Sequence, residues 1–279
     1  MGNEITNQIF DLTERVVVIT GAGGLLGKQH AEAVARFGGN PVLLDISSNS
    51  ITAIADSLSK KYGVDATAWV VDITNEEAIK ENCTQIYKHY GRIDGLVNNA
   101  ANNPKVEKNT SQNFSRLENF DIEMWNQDLA VGVTGAFLCA KHYGKKISEN
   151  PNGGCIVNIS SDLGLIAPDQ RLYQQEGVED AMQPVKPVTY SIVKTALIGL
   201  TRYLSTYWNK QNVRANALCF GGVENDQPYE FLEKVNSRIP MGRMAQANEY
   251  QGALVFMLSD AGSYLNGAIL PVEGGRTAW

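Results

Sequence analysis

The chain has little from which to build a metal site, a disulfide framework or a nucleic-acid surface. Its four cysteines, Cys83, Cys139, Cys155 and Cys219, are scattered through 279 residues. Three lie within apolar runs, and none has the paired spacing of a zinc site. We expect buried thiols, a reducing cytoplasmic setting and no metal. Lys and Arg number 24 against 30 Asp and Glu, for a formal net charge of -6, and the basic residues nowhere collect into a stripe. Such a surface does not draw phosphate backbones, so no nucleic-acid partner is expected. No apolar run approaches the roughly 20 residues that span a bilayer. The N-terminus also lacks the charged-then-apolar layout of a secretion signal, and no membrane partner is expected. Met1 to Thr6 fits a myristoylation pattern formally, but so short a match arises by chance and we read a polar leader.

What is present is an alternation of two periods. Runs of β-branched and apolar residues at 15–20, 41–46, 66–71, 95–98, 155–160, 213–219 and 268–272 read as strands. Helical spacing lies between them, as in Ala31, Val34 and Ala35, and from Ala78 to Tyr90 after the capping-box pattern Thr74-Asn75-Glu76-Glu77. Strand and helix alternating this often imply an α/β fold: a single-domain, Rossmann-type doubly wound parallel sheet of about seven strands, helices on both faces, spanning 1–279. One stretch, 163–189, breaks the rhythm with Pro168, Pro184 and Pro187 and no clear period. It reads as a long excursion holding at most one short helix, placed as a cover over an active site. A second segment, 224–240, is expected to help form that cover.

The first strand runs directly into Gly21-Ala22-Gly23-Gly24-Leu25-Leu26-Gly27 and then a helix. Glycines there let the backbone turn sharply and approach a pyrophosphate, whose charge the helix N-terminus meets. Strand, glycine turn and helix in sequence make a stronger signal than the glycines alone. The second strand ends at Asp45, followed by Ile46, where a carboxylate can accept hydrogen bonds from a ribose and repel a 2′-phosphate. No Lys or Arg stands in the glycine turn or just after Asp45. The reading is NAD, with NADP less favoured; the alternative for Asp45 alone is a helix cap.

Tyr190 and Lys194 are four apart in a helical pattern, so phenol and ammonium share one face. A tyrosine with its ordinary pKa of about 10 is a poor base near neutral pH. A neighbouring lysine and a cationic nicotinamide ring would favour the phenolate and bring proton transfer into range.

Taken in order, these motifs resemble the short-chain dehydrogenase/reductase family over nearly the whole chain. They are Thr20-Gly21 with Gly27, Asp72-Ile73, Asn98-Asn99-Ala100, Ile156 to Ser161, Tyr190 with Lys194, Asn216-Ala217 before Gly221-Gly222-Val223, and Val272-Glu273-Gly274-Gly275. The resemblance implies Ser161, Tyr190 and Lys194 as the catalytic groups. It implies cofactor contacts from Gly21, Gly24, Leu26, Gly27, Asp45 and Ile46, from Asp72 and Ile73 at the adenine, and from Asn99 and Ala100 beneath a ribose. Tyr190 and Lys194 would meet the nicotinamide half, and Phe220 to Val223 its carboxamide.

Three departures qualify the match. Gly132 stands where the family has a catalytic asparagine, whose main-chain carbonyl a glycine retains. Leu25 replaces a glycine of the shorter family branch. Ser161 and Tyr190 are 29 residues apart, a separation nearer the extended branch, many of whose members act on nucleotide sugars. Phe220 also stands where proline is usual. Together with Asn225-Asp226-Gln227-Pro228 and Trp279, the pattern resembles bacterial members linked to surface-carbohydrate and flagellin-glycan synthesis. We therefore expect an oxidoreductase that interconverts a secondary alcohol and a ketone on a polar, sugar-like small molecule, with Arg171, Tyr173 and Lys186 as donors to it. The competing readings are an NADPH-dependent 3-oxoacyl-type carbonyl reductase, and a catalytically silent nucleotide-binding scaffold. The pattern from Asp121 to Ile147 is apolar around much of its circumference. The matching family helix forms a subunit contact, which implies a homotetramer, with a dimer as the fallback.

Overall fold

The computed structural model describes residues 8–102 and 115–279; the leader Met1 to Thr6 lies outside the described residues. Seven strands form one sheet: β1 (Val16–Thr20), β2 (Asn40–Asp45), β3 (Thr67–Val70), β4 (Gly95–Asn98), β5 (Gly154–Ser161), β6 (Val213–Phe220) and β7 (Ile269–Val272). Their order is β3-β2-β1-β4-β5-β6-β7, and every neighbouring pair is parallel. The order reverses between β1 and β4, so the connections leaving those two strands diverge and open a crevice at their carboxyl ends.

Side chains in β1 alternate between two cores. Val17 and Ile19 join the cluster beneath α1 (Leu25–Arg36) and α7 (Gln251–Leu258). Val16 and Val18 join the cluster on the other face, with Ile79 and Ile86 of α3 (Glu76–Tyr90) and Tyr143. All four β1 residues are buried, each worth about 1.5–3 kcal/mol relative to exposure. The remaining helices are α2 (Ser48–Tyr62), α4 (122–147), α5 (Val188–Tyr207) and α6 (Tyr229–Asn236).

Two local expectations need correction. The cap of α3 is Asn75, which accepts the Ala78 N–H, because Thr74 is already held by Asp72 through its N–H (2.9 Å) and hydroxyl (2.7 Å). The excursion holds more than one short helix: 3-10 turns at Asp162–Gly164, Gln170–Tyr173 and Asp180–Met182 precede α5. Each of these turns is three or four residues long, too short to leave a helical period in the sequence.

The helix α4 is not uniform. Its α-helical pieces, Ile122–Leu129, Ala136–Cys139 and Lys145–Ile147, are joined by π-helical turns at Ala130–Gly135 and Ala140–Gly144. Gly132 sits in the first π turn and packs against α5. A Cβ there would stand 2.4 Å from Val193 Cγ1, so Val193 fills the space that any larger residue needs.

The excursion and α6 share a small core of their own, Leu172 with Val235, Ile239 and Met244. Polar ties reinforce it: Lys234 Nζ donates to the Gln174 carbonyl (2.8 Å), Arg238 meets Asp169 (3.2 Å), and Arg116 donates to the Asp180 carbonyl (2.9 Å).

Candidate active site

A cavity of about 430 Å3 opens at the crevice between β1 and β4. The glycine turn supplies one wall through Gly21, Gly24, Leu26 and Gly27. Gly21 has φ +63° and lies against Ala100, where a Cβ would come within 2.9 Å of the Ala100 Cα. At Gly27 a Cβ would lie 2.1 Å from the Gly21 carbonyl oxygen. No side chain fits either position, so the turn is held to glycine on packing grounds alone.

Thr20 and Asn99 tie the turn to the end of β4. The Thr20 hydroxyl accepts the N–H groups of Asn99 (3.0 Å) and Ala100 (3.1 Å). The Asn99 amide donates to the carbonyls of Thr20 (2.9 Å) and Gly21 (3.1 Å). Asp45 closes the far end: one carboxylate oxygen accepts Gly23 N–H at 3.0 Å and the other accepts Ser47 N–H at 3.1 Å. Asp45 and Ile46, Asp72 and Ile73, Asn99 and Ala100, and then Phe220 and Val223 after β6 all line this same cavity.

Tyr190 and Lys194 line it as well, entering from the first turns of α5. Lys194 is buried at 6% exposure, and its ammonium donates to the Ile159 carbonyl at 2.8 Å. Burial, and then repulsion from Lys186, pull its pKa down to about 8. The Ser160 hydroxyl donates to the Lys194 carbonyl (2.7 Å), fastening α5 to the end of β5. Lys194 Nζ is 5.8 Å from the centre of the Tyr190 ring. Burial raises the Tyr190 pKa, and the Ser161 hydroxyl beside it only partly offsets this.

Ser161 is buried beside Tyr190. Its hydroxyl donates to Asp162 (2.7 Å) and accepts the Leu163 N–H (3.2 Å). Asp162, 2% exposed, also accepts from Arg276 Nη1 at 2.8 Å in a buried ion pair. Neither Asp162 nor Arg276 was anticipated. Asp162 had a signal, its place directly after Ser161, whereas nothing in the sequence joins positions 114 residues apart.

The three expected substrate donors separate. Arg171 points away, 71% exposed and paired through two nitrogens with Asp169. Tyr173 packs on Phe231, and burial pushes its phenol up to about 12. That phenol also feels the charges of Arg276, Tyr190 and Asp162, and the Lys186 ammonium stands 3.8 Å from the centre of the Tyr190 ring.

A phenol and an ammonium beside a glycine turn at a topological switch point define a dinucleotide-dependent oxidoreductase of this fold. The comparisons give the family. A family model described as enoyl-(acyl carrier protein) reductase matches residues 21–277. An oxidoreductase from Thermotoga maritima is 32% identical over 276 residues, covering 95% of this chain and 98% of the relative. Meso-2,3-butanediol dehydrogenase from Serratia marcescens is 31% identical over 268 residues (95% of each chain). Post-translational flagellin modification protein A from Campylobacter coli is 26% identical over 266 residues (95% and 98%). Among solved structures, gluconate 5-dehydrogenase from Burkholderia cenocepacia, in complex with NADP and tartrate, aligns with TM-score 0.83 and 25% identity over 98% of this chain and 99% of that one. An NAD+-bound xylitol dehydrogenase aligns with TM-score 0.78 and 26% identity over 95% and 99%. The chain belongs to the short-chain dehydrogenase/reductase family, and its relatives named as dehydrogenases act on CH–OH groups.

Proposed function

We propose that the chain interconverts a secondary alcohol and a ketone on a polar, sugar-like substrate, with NAD as its cofactor and Ser161, Tyr190 and Lys194 at the reacting carbon. The observation that carries this reading is the opening of Tyr190 and Lys194 onto the cavity bounded by the Gly21 to Gly27 turn. That cavity fits an extended dinucleotide: glycines where a Cβ would collide, an acidic end at Asp45, and Asn99 and Ala100 between. Bound there, a nicotinamide supplies the hydride acceptor or donor. In the oxidative direction Tyr190 takes the proton from the substrate hydroxyl, and in the reductive direction it returns it. Ser161 has its proton directed to Asp162, so a lone pair of its oxygen is left to orient the reacting hydroxyl. Lys194, held by Ile159, keeps positive charge beside the phenol. The relatives that act on butanediol, gluconate and xylitol support a polyol-like substrate.

NAD is favoured over NADP because the Asp45 carboxylate stands where a 2′-phosphate would be repelled; the two related structures hold one of each dinucleotide. We further propose a cytoplasmic homotetramer. Its setting is argued from four free, buried cysteines. Its assembly is argued from apolar residues left exposed on α4 and α5, among them Phe137 and Tyr203.

The test is absorbance at 340 nm with NAD+ or NADP+ and a panel of xylitol, meso-2,3-butanediol and gluconate. We expect turnover with at least one of these and a preference for NAD+, and a fall in kcat of about 10²–10⁴ in Tyr190→Phe. No turnover on this panel or on wider sugar and keto-acid panels, with NADH failing to bind, would overturn the reading.

A further inference from the structure

We propose that the substrate of this site carries an anionic group, a carboxylate or a phosphate, which seats on the Lys186 ammonium above Tyr190. The proposal rests on the oxidoreductase reading and narrows its substrate class.

Lys186 is held in place by the chain on either side of it. Pro184 and Pro187 flank it, each fixing its own φ, and its N–H donates to the Gln170 side chain at 2.8 Å. From there the ammonium stands over the phenol face, 3.8 Å from the ring centre. It meets no acceptor among the described residues. Asp162 attracts it, but the Asp162 oxygens already take the Ser161 hydroxyl, the Leu163 N–H and Arg276 Nη1. Around the catalytic phenol stand three cations, Lys186, Lys194 and Arg276, and two carboxylates, both already engaged: Asp162 by the donors just named, and Asp128 by the Thr189 hydroxyl.

Some better exposed lysines of this chain do find partners, Lys61 with Glu32 and Lys141 with Glu76. Lys186 is more sheltered than these and has no ion-pair partner among the described residues. Burial takes its pKa down to about 8, and the Asp162 carboxylate offsets this only in part. An anion would supply a counter-charge, and it would be a charge-assisted contact in a poorly solvated place, the kind that fixes a ligand's orientation. The pyrophosphate of a dinucleotide belongs at the glycine turn, away from the reacting end of the cavity, so the missing anion falls to the substrate. The position over Tyr190 puts that anion a short chain away from the carbon that reacts, as in a hydroxy acid or a sugar phosphate.

The test is calorimetric titration of malonate and, separately, of inorganic phosphate into the full chain, with and without saturating NADH. Wild type is compared with Lys186→Met, Lys186→Arg and, as a control for overall charge, Lys210→Met on the exposed surface. We expect wild type to bind one of the two anions more tightly than Lys186→Met by about tenfold or more. Lys186→Arg should retain most of that affinity, and Lys210→Met all of it. Preference for malonate assigns a carboxylate substrate; preference for phosphate assigns a phosphorylated one. Equal affinity in wild type and Lys186→Met, or no binding of either anion to wild type, overturns the proposal. NADH binding, measured in the same series, reports on the oxidoreductase reading separately, because the comparison between wild type and Lys186→Met does not depend on it.

Discussion

Asp162 decides which way the Ser161 hydroxyl faces. An ionised carboxylate only accepts, so the Ser161 proton is committed to it and the Leu163 N–H takes one lone pair, leaving the other for a ligand or for Tyr190. Lys186 brings a measurable pH dependence. Its folded pKa of about 8 lies below the ordinary 10.5, so between those values the unfolded chain holds a proton that the folded chain has released. Stability from this group therefore rises with pH across that window, and the penalty is fully present below pH 8. Without added anions, the melting temperature of wild type relative to Lys186→Met should climb between pH 8 and 10; a flat difference would refute the burial argument. Asp45→Ser removes the charge at the ribose end while keeping an acceptor. We expect its preference for NAD+ over NADP+, read as a ratio of kcat/KM, to narrow by about tenfold or more. Of the site, the glycine turn and the Tyr190–Lys194 pair, which line one cavity, could be read as local patterns, whereas Ser161 was expected only from the family resemblance. The Asp162–Arg276 pair was not legible, since it forms only when β7 lies beside β6.

At the scale of elements, α4 and α5 meet through a space that fits one side chain. Val193 occupies it, and Gly132 yields it. Restoring a side chain at 132 should overpack the contact: Gly132→Ala is expected to lose about 1–3 kcal/mol in urea unfolding. Gly132→Asn should lose at least as much, and Val193→Ala in the same chain should recover part of it. An unchanged midpoint for Gly132→Ala would mean that the two helices slide apart freely. All seven strands were legible because β-branched runs between helical periods are a strong pattern, with boundaries off by only a residue or so. The 3-10 turns between 162 and 182 were not, and neither were the π turns of α4. Both depend on packing against other segments more than on any period of their own.

For the whole molecule, the apolar surface of the long helices remains to be covered. Ile122, Phe137, Ile192, Tyr203 and Tyr207 are exposed on α4 and α5, more large apolar side chains than a solvated helix face ordinarily carries. Light scattering is expected to give about four times the 30.5 kDa chain mass, and Phe137→Asp should shift the population toward smaller species. A wild-type mass of one chain at micromolar concentration would remove this face as an interface. Among the described residues no helix is long and apolar enough to cross a membrane.

The ties between the 163–189 excursion and α6 bear on how substrate choice can be re-engineered. Lys234 to Gln174, Arg238 to Asp169 and the Leu172 cluster join the two segments into a single unit assembled from distant stretches of chain. A chimera that imports only one of them from a relative breaks a shared miniature core and should lose its grip on every substrate alike. Importing both together leaves the sheet and the glycine turn untouched, so the unit to transplant is the pair.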